Sequence, residues 1–266
     1  MVYMTFTPEN GMTETVASFM NNLKPGQSLN NATWDDATER VMTTLRGEPG
    51  HLNEAVMEQI LSSYAPHERE MRRNGRPSIG SGLVFPVPEE KLTVTDLVVE
   101  DYWPKIAGID FGFDHPTAVV WAALDPDEDI IYIYDAYRQS KAPPSVHATA
   151  INDRPGFIPI AWPHDGNRRD SMGNPGLADQ YRSLGCNMLP FLFSNPPALG
   201  ENKGNNSIEV GIMHLLQRME DGKLKVASHL IDWFQEFRMY HRKDGKITPI
   251  RDDLMSATRY AVMSLR

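Results

Sequence analysis

Apolar positions recur along this chain with two different periods. In "HLNEAVMEQILSSYAPHEREMRRNG" they come at helical spacing, with Ala55, Val56, Ile60, Leu61 and Tyr64 roughly on one stripe and Asn53 placed to cap the N-terminus. Pro66 interrupts that helix, and the Gly- and Pro-rich "PSIGSGLVFPVPEE" marks a boundary near residues 86 to 100. From Pro104 the pattern turns to short β-branched runs. "KIAGIDFG", "TAVVWAALD" and "DIIYIYDAYRQ" predict three successive strands, with "DPDED" as the turn between the last two. The segment "PPSVHATAIND" then predicts a helix, "GFIPIAWPHDG" a fourth strand, "GLADQYRSLG" a helix and "CNMLPFL" a fifth strand. Helical periodicity returns in "SIEVGIMHLLQRMEDG", where Ile208, Ile212, Leu215, Leu216 and Met219 share a face. A strand "KLKVAS", a helix "HLIDWFQEFRMYHR", a turn "KDGK" and a last helix "DDLMSATRYAVMSLR" complete the series.

The first twenty residues, "MVYMTFTPENGMTETVASFM", predict a strand, a Pro/Gly turn and an amphipathic helix. An isolated strand is unstable, so this one either edges a sheet formed elsewhere in the chain or belongs to the downstream part of something longer.

Composition narrows the class. The chain has 266 residues, 41% hydrophobic and 23% charged, as in an ordinary globular protein with a sizeable core. The single cysteine, Cys186, forms no internal disulfide, which fits a reducing cytoplasm. A secretory leader and an apolar run of membrane-spanning length are both absent, so no membrane association is expected. A net charge of −9 is unlike that of a typical nucleic-acid binder, yet gathered carboxylates make a protein acidic while local basic pairs still face phosphates. Arg168, Arg169, Lys203, Arg242 and Lys243 are the candidates for such backbone contacts.

The acids carry the chemistry. Asp110 closes the first apolar run and Asp165 closes the fourth, so parallel neighbouring strands would deliver both carboxylates to one end of a sheet, where open α/β sheets place ligands. Asp252 and Asp253 open the last helix, where Asp also serves as a cap. Three carboxylate sources suit hard divalent cations, and two such ions about 4 Å apart support phosphodiester cleavage. His164, beside Asp165, is a candidate for tuning a ligand or contacting a phosphate. Zinc-ligand spacings, a nucleophile elbow and a P-loop are all missing from the sequence, so this chain alone is not expected to hydrolyse ATP.

The motifs "GIDFGFDHPTAVVW", "PHDG", "SIEVGIMHLLQRMEDGKLKV", "YHRKDGKI" and "DDLMSATRYAVM", in this order, resemble the C-terminal nuclease of the large terminase subunit of tailed bacteriophages. "MTFTPENGMTE" resembles the coupling motif near the end of that family's packaging ATPase. The resemblance implies an α/β fold, a ribonuclease H-like mixed sheet flanked by helices and preceded by a smaller, mostly helical segment. Residues 1–88 would be the last portion of the ATPase, 89–103 a linker and 104–266 the nuclease. It implies a metal-dependent endonuclease that cuts concatemeric viral double-stranded DNA. Asp110, Asp165 and an Asp of the last helix would hold two Mg²⁺ or Mn²⁺ ions. Many relatives carry an acid where this chain has Ser256. Asp252 lies one helical turn earlier on the same face and Asp253 is adjacent to it, so either could substitute, with Asp253 favoured. The small terminase subunit, the portal and a homo-oligomeric ring at the procapsid in the host cytoplasm are the implied partners and setting.

Two rival readings start from the same residues. "IDFG" followed by a Thr also resembles the first phosphate loop of actin-like and sugar kinases, but "PHDG" has no Gly-rich sequel and the chain has room for only one such core. A non-catalytic docking module would not need the set of acids.

Overall fold

The computed structural model describes residues 54–64, 69, 82–167, 175–195, 207–243, 246–248 and 251–265. Asn53, the N-terminal strand and helix, Arg168, Arg169 and Lys203 lie outside them. The described chain forms two compact units, one comprising Met1–Glu90 with Phe234–Ile250 and the other Lys91–Trp233 with Arg251–Arg266.

In the larger unit a six-stranded mixed sheet runs in the order β1-β6-β4-β3-β2-β5. Its strands are β1 (Thr93–Val94), β2 (Lys105–Asp110), β3 (Thr117–Asp125), β4 (Ile130–Gln139), β5 (Ile160–Ala161) and β6 (Leu224–Ala227). The three long strands β2, β3 and β4 pair antiparallel, whereas β5 pairs parallel to β2 and β6 parallel to β4. β3 lies at the centre, and its first seven residues are buried, as a strand covered on both faces requires. The expected mixed sheet flanked by helices is therefore present.

Helices α1 (Glu54–Ser62) and α2 (Glu89–Leu92) precede the sheet strands that bear the site. They are followed by α3 (Pro144–Asn152), α4 (Leu177–Ser183), α5 (Ile208–Glu220), α6 (Ile231–Met239) and α7 (Asp253–Ser264). Side chains alternate across a strand, so β2 divides its residues between two layers. Ala107 and Ile109 join Val119, Trp121, Ala148, Ile151, Trp162, Ala178 and Tyr181 in one core cluster. Gly108 faces the other layer, where a Cβ would lie 2.1 Å from the Ala257 carbonyl oxygen and 2.6 Å from the Ala261 nitrogen of α7. Only a residue without a side chain lets α7 settle this close to β2. Thr258 locks the helix from its other side, accepting a hydrogen bond from Trp233 Nε1 at 2.8 Å and donating to the Leu254 carbonyl at 2.7 Å.

Several expectations need correction. The fourth strand shrinks to two residues because Pro159 and Pro163 flank it and proline cannot donate to a ladder. The fifth, "CNMLPFL", is reduced to a single parallel bridge between Met188 and Ile160, with Pro190 ending the pairing. On α1 the proposed stripe is largely open to solvent: Leu61 is buried, whereas Val56 and Ile60 are exposed. On α5, Ile212, Leu215 and Met219 are buried but Ile208, in the first turn, is exposed. The stretch 89–103, read as a linker, contains α2 and the edge strand β1. Among the described residues no helix is long and apolar enough to cross a membrane.

In the smaller unit, β7 (Arg242–Lys243) and β8 (Lys246–Ile247) form an antiparallel pair. Phe85 stacks on Phe237, with ring centroids 6.1 Å apart, and Arg238 Nε donates to Glu89 Oε1 at 2.5 Å.

Candidate metal centre

Asp110 is the last residue of β2 and stands two positions beyond Gly108, so strand alternation aims its carboxylate toward α7. It pairs directly with Ala118 on β3, and Ala118 pairs with Arg138 on β4. Asp110, Ala118 and Arg138 therefore form a row on one face of the sheet. Above the row lies the start of α7, with Asp252 as the residue preceding the helix and Asp253 as its first member. Asp253 is buried, and its Oδ2 lies 3.7 Å from Arg138 Nη2.

Asp165 arrives from β5. The parallel register Ala107↔Ile160 and Gly108↔Ala161 carries the chain past Trp162 into a 3-10 turn, His164–Asn167. That turn seats on the core because Gly166 has no side chain; a Cβ there would be 2.5 Å from the Trp162 ring and 3.0 Å from the Phe111 ring. His164 Nε2 lies 3.1 Å from Asp165 Oδ1, with the imidazole mostly exposed.

The electrostatics tie these elements together. Burial, then the charges of Asp253 and Asp252, push the Asp110 carboxyl up to about 8; Asp165 adds to the rise and Arg259 opposes it. Asp252 is raised by burial and by Asp253, against His115 and Arg259. Asp253 is raised by burial, against Arg138 and His115. The four acids named from the sequence thus share one electrostatic neighbourhood. In their present conformations, among the described residues, no three His, Cys, Asp or Glu side chains converge into a cage for a metal ion.

Of the basic candidates, Arg242 and Lys243 form β7 of the smaller unit, and the other three fall outside the described residues. Sequence reasoning missed two cations beside the acids. Arg138 ends the alternating run "IYIYDAYRQ", and only strand register reveals that it shares a row with Asp110. Arg259, within "DDLMSATRYAVM", is buried, with its guanidinium carbon 5.3 Å from the Phe193 ring centroid and 4.7 Å from that of Tyr260. Its Nη1 has no hydrogen-bond partner among the described residues. His115, in the turn after β2, acts on both Asp252 and Asp253.

Comparison with known proteins agrees with this architecture. Residues 107–265 match the family model described as Terminase RNaseH-like domain. The chain is 36% identical over 264 residues to the terminase large subunit of Salmonella phage P22, covering 99% of this chain and 49% of that protein. It is also 36% identical over 261 residues to the terminase large subunit of Enterobacteria phage LP7, covering 98% of this chain and 51% of that protein. The chain thus spans about half the length of these curated relatives. Among solved structures, the P22 large terminase nuclease domain superposes with a TM-score of 0.62 at 35% identity, covering 69% of this chain and 92% of that one. The large terminase of a thermophilic bacteriophage shares the fold, with a TM-score of 0.52 at 13% identity over 82% of this chain and 53% of that one. By the family match over more than half its length, the chain belongs to the large-terminase family, in which it carries the RNaseH-like nuclease domain.

Proposed function

We propose that this chain is a divalent-metal-dependent endodeoxyribonuclease that cuts concatemeric viral double-stranded DNA during genome packaging. Asp110, Asp165 and Asp253 are the ligands, with Asp252 as the neighbouring acid that substitutes for or supports Asp253. The observation that carries this reading is the acid cluster itself. A strand end, a 3-10 turn and a helix start, far apart in sequence, place their carboxylates where each raises the charge cost at Asp110. A fold that maintains such repulsion gains from it only when a cation neutralises it.

An all-carboxylate donor set fits hard ions, so two Mg²⁺ or Mn²⁺ ions are the cofactors proposed. When bound, such ions supply an activated water and stabilise the leaving oxygen of the phosphodiester. The protein's own residues set the terms. Asp110 has to release its proton before it ligates, which favours neutral to alkaline conditions. Arg138 favours the ionised form of Asp253, and Arg259 that of Asp110 and Asp252. Gly108 sets the distance between the β2 acid and the α7 acids.

The rest of the packaging role follows by analogy with the named relatives. Residues 1–88 are proposed as the last portion of the packaging ATPase and 104–266 as the nuclease. The small terminase subunit, the portal and further copies of the chain are the proposed partners, at the procapsid in the host cytoplasm. Arg168, Arg169, Lys203, Arg242 and Lys243 are proposed to contact the DNA backbone, with His164 assisting Asp165.

Plasmid cleavage with Mn²⁺, Mg²⁺ or EDTA, beside Asp110→Ala, tests the assignment. Metal-dependent cutting lost in the variant is the expected outcome. An equally active Asp110→Ala protein would overturn it.

A further inference from the structure

Two loops leave the same end of the sheet and are built as one piece. In the turn from β2 to β3, Gly112 N–H donates to Thr117 Oγ1 at 3.2 Å, and the buried Thr117 hydroxyl donates back to the Gly112 carbonyl at 2.8 Å. In the turn from β4 to α3, Lys141 N–H donates to the Phe113 carbonyl at 2.7 Å. Strand register puts both turns at the site: Asp110, Ala118 and Arg138 lie in one row, with Thr117 and Gln139 paired just beyond it.

Both turns present long side chains to water. Phe113, three residues past Asp110, is 62% exposed. Lys141, three residues past Arg138, is also exposed. It holds a left-handed backbone with φ of 54°, a conformation that residues with side chains seldom adopt. A polyanion approaching the Asp110, Asp252 and Asp253 cluster meets repulsion unless a cation stands at the rim. Arg138 is engaged with Asp253 and Arg259 is buried, whereas Lys141 is an exposed cation whose backbone N–H is bonded to the loop that follows Asp110.

We propose that Phe113 and Lys141 form a clamp that seats DNA at the acid cluster, the Lys141 ammonium on a backbone phosphate and the Phe113 ring against the sugar or an unstacked base of the adjoining nucleotide. The clamp takes the identity of its ligand from the nuclease reading. Each half has its own signature. The cation acts through counterion release and so through salt dependence, whereas the ring contributes contact that salt barely alters.

The test is duplex-oligonucleotide binding by the 266-residue chain in EDTA over a series of salt concentrations, with thermal melting to confirm that each variant folds. Lys141→Gln is expected to weaken binding about fivefold and to flatten the salt slope by about one. Phe113→Ala is expected to weaken it about tenfold at unchanged slope, with Phe113→Trp restoring affinity. Folded variants with unchanged affinity and slope would overturn the clamp, as would a wild-type chain that does not bind duplex DNA. Cleavage by the wild-type chain is scored separately: a chain that binds through these residues but never cuts with any metal sinks the nuclease reading and leaves the clamp standing.

Discussion

Arg138 Nη2 stands 3.7 Å from Asp253 Oδ2, joining the end of β4 to the first residue of α7 across a buried face of the sheet. Arg138 favours the charged form of a carboxylate that burial otherwise disfavours. A bound cation would take over the same task. Arg138→Met should therefore lower the metal-free melting stability by about 1–2 kcal/mol while enlarging the stabilisation gained on adding Mn²⁺. Thermal melting of both proteins with Mn²⁺ and with EDTA measures this. An equal Mn²⁺ gain in the two would show that Arg138 only packs.

Gly108 is the contact on which the distance between acids depends. A methyl group there meets backbone atoms of Ala257 and Ala261, which cannot swing aside as a flexible side chain would. Gly108→Ala should cost about 3 kcal/mol or more through overpacking and push α7 away from β2. Melting should show the loss, and Mn²⁺ should stabilise the variant less than the wild type if the acids have separated.

How much of this was legible beforehand depends on how local the cause is. "TAVVWAALD" names β3 residue for residue, because a strand buried on both faces leaves an unbroken apolar run. That Asp110 and Asp165 end apolar runs is legible in the sequence, which poses parallel pairing only as a condition; the strand register of β2 and β5 supplies it. The shortness of β5 is written in its flanking prolines, Pro159 and Pro163. Arg138 was hidden in a different way: its tie to Asp253 spans distant segments and exists only through strand register and the closeness of α7. Phe113 and Lys141 were hidden likewise, because their link is one backbone hydrogen bond between two turns.

The state of Asp110 predicts a pH response. Its folded carboxyl titrates at about 8, above the ordinary value of 3.8, so the native state holds a proton that the unfolded chain has lost. The sign follows from linkage: below about pH 4 there is no penalty, and metal-free stability falls as pH rises from there to about 8. Asp110→Asn removes the charge and should melt several degrees higher than wild type in EDTA at about pH 8, with the gap closing toward about pH 4. A constant gap across that range would place the effect in packing instead of charge.

Asp252 and Asp253 differ in ways that decide between them as the third ligand. Asp253 is buried inside the first turn of α7, and its charge raises Asp110 more than that of Asp252 does. Asp252 precedes the helix, is only partly buried, and makes no side-chain capping bond to it. Its removal therefore takes away neither a cap nor the nearer charge. Asp253→Asn is expected to reduce Mn²⁺-dependent cleavage on the order of 100-fold or more and to abolish Mn²⁺ stabilisation in melting, while Asp252→Asn loses less than about tenfold. The two readouts together separate ligand from neighbour. A variant that still binds Mn²⁺ but cuts slowly has lost orientation, whereas one that no longer responds to Mn²⁺ has lost a ligand. The reverse ranking, with Asp252→Asn the silent protein, would move the ligand to the residue before the helix.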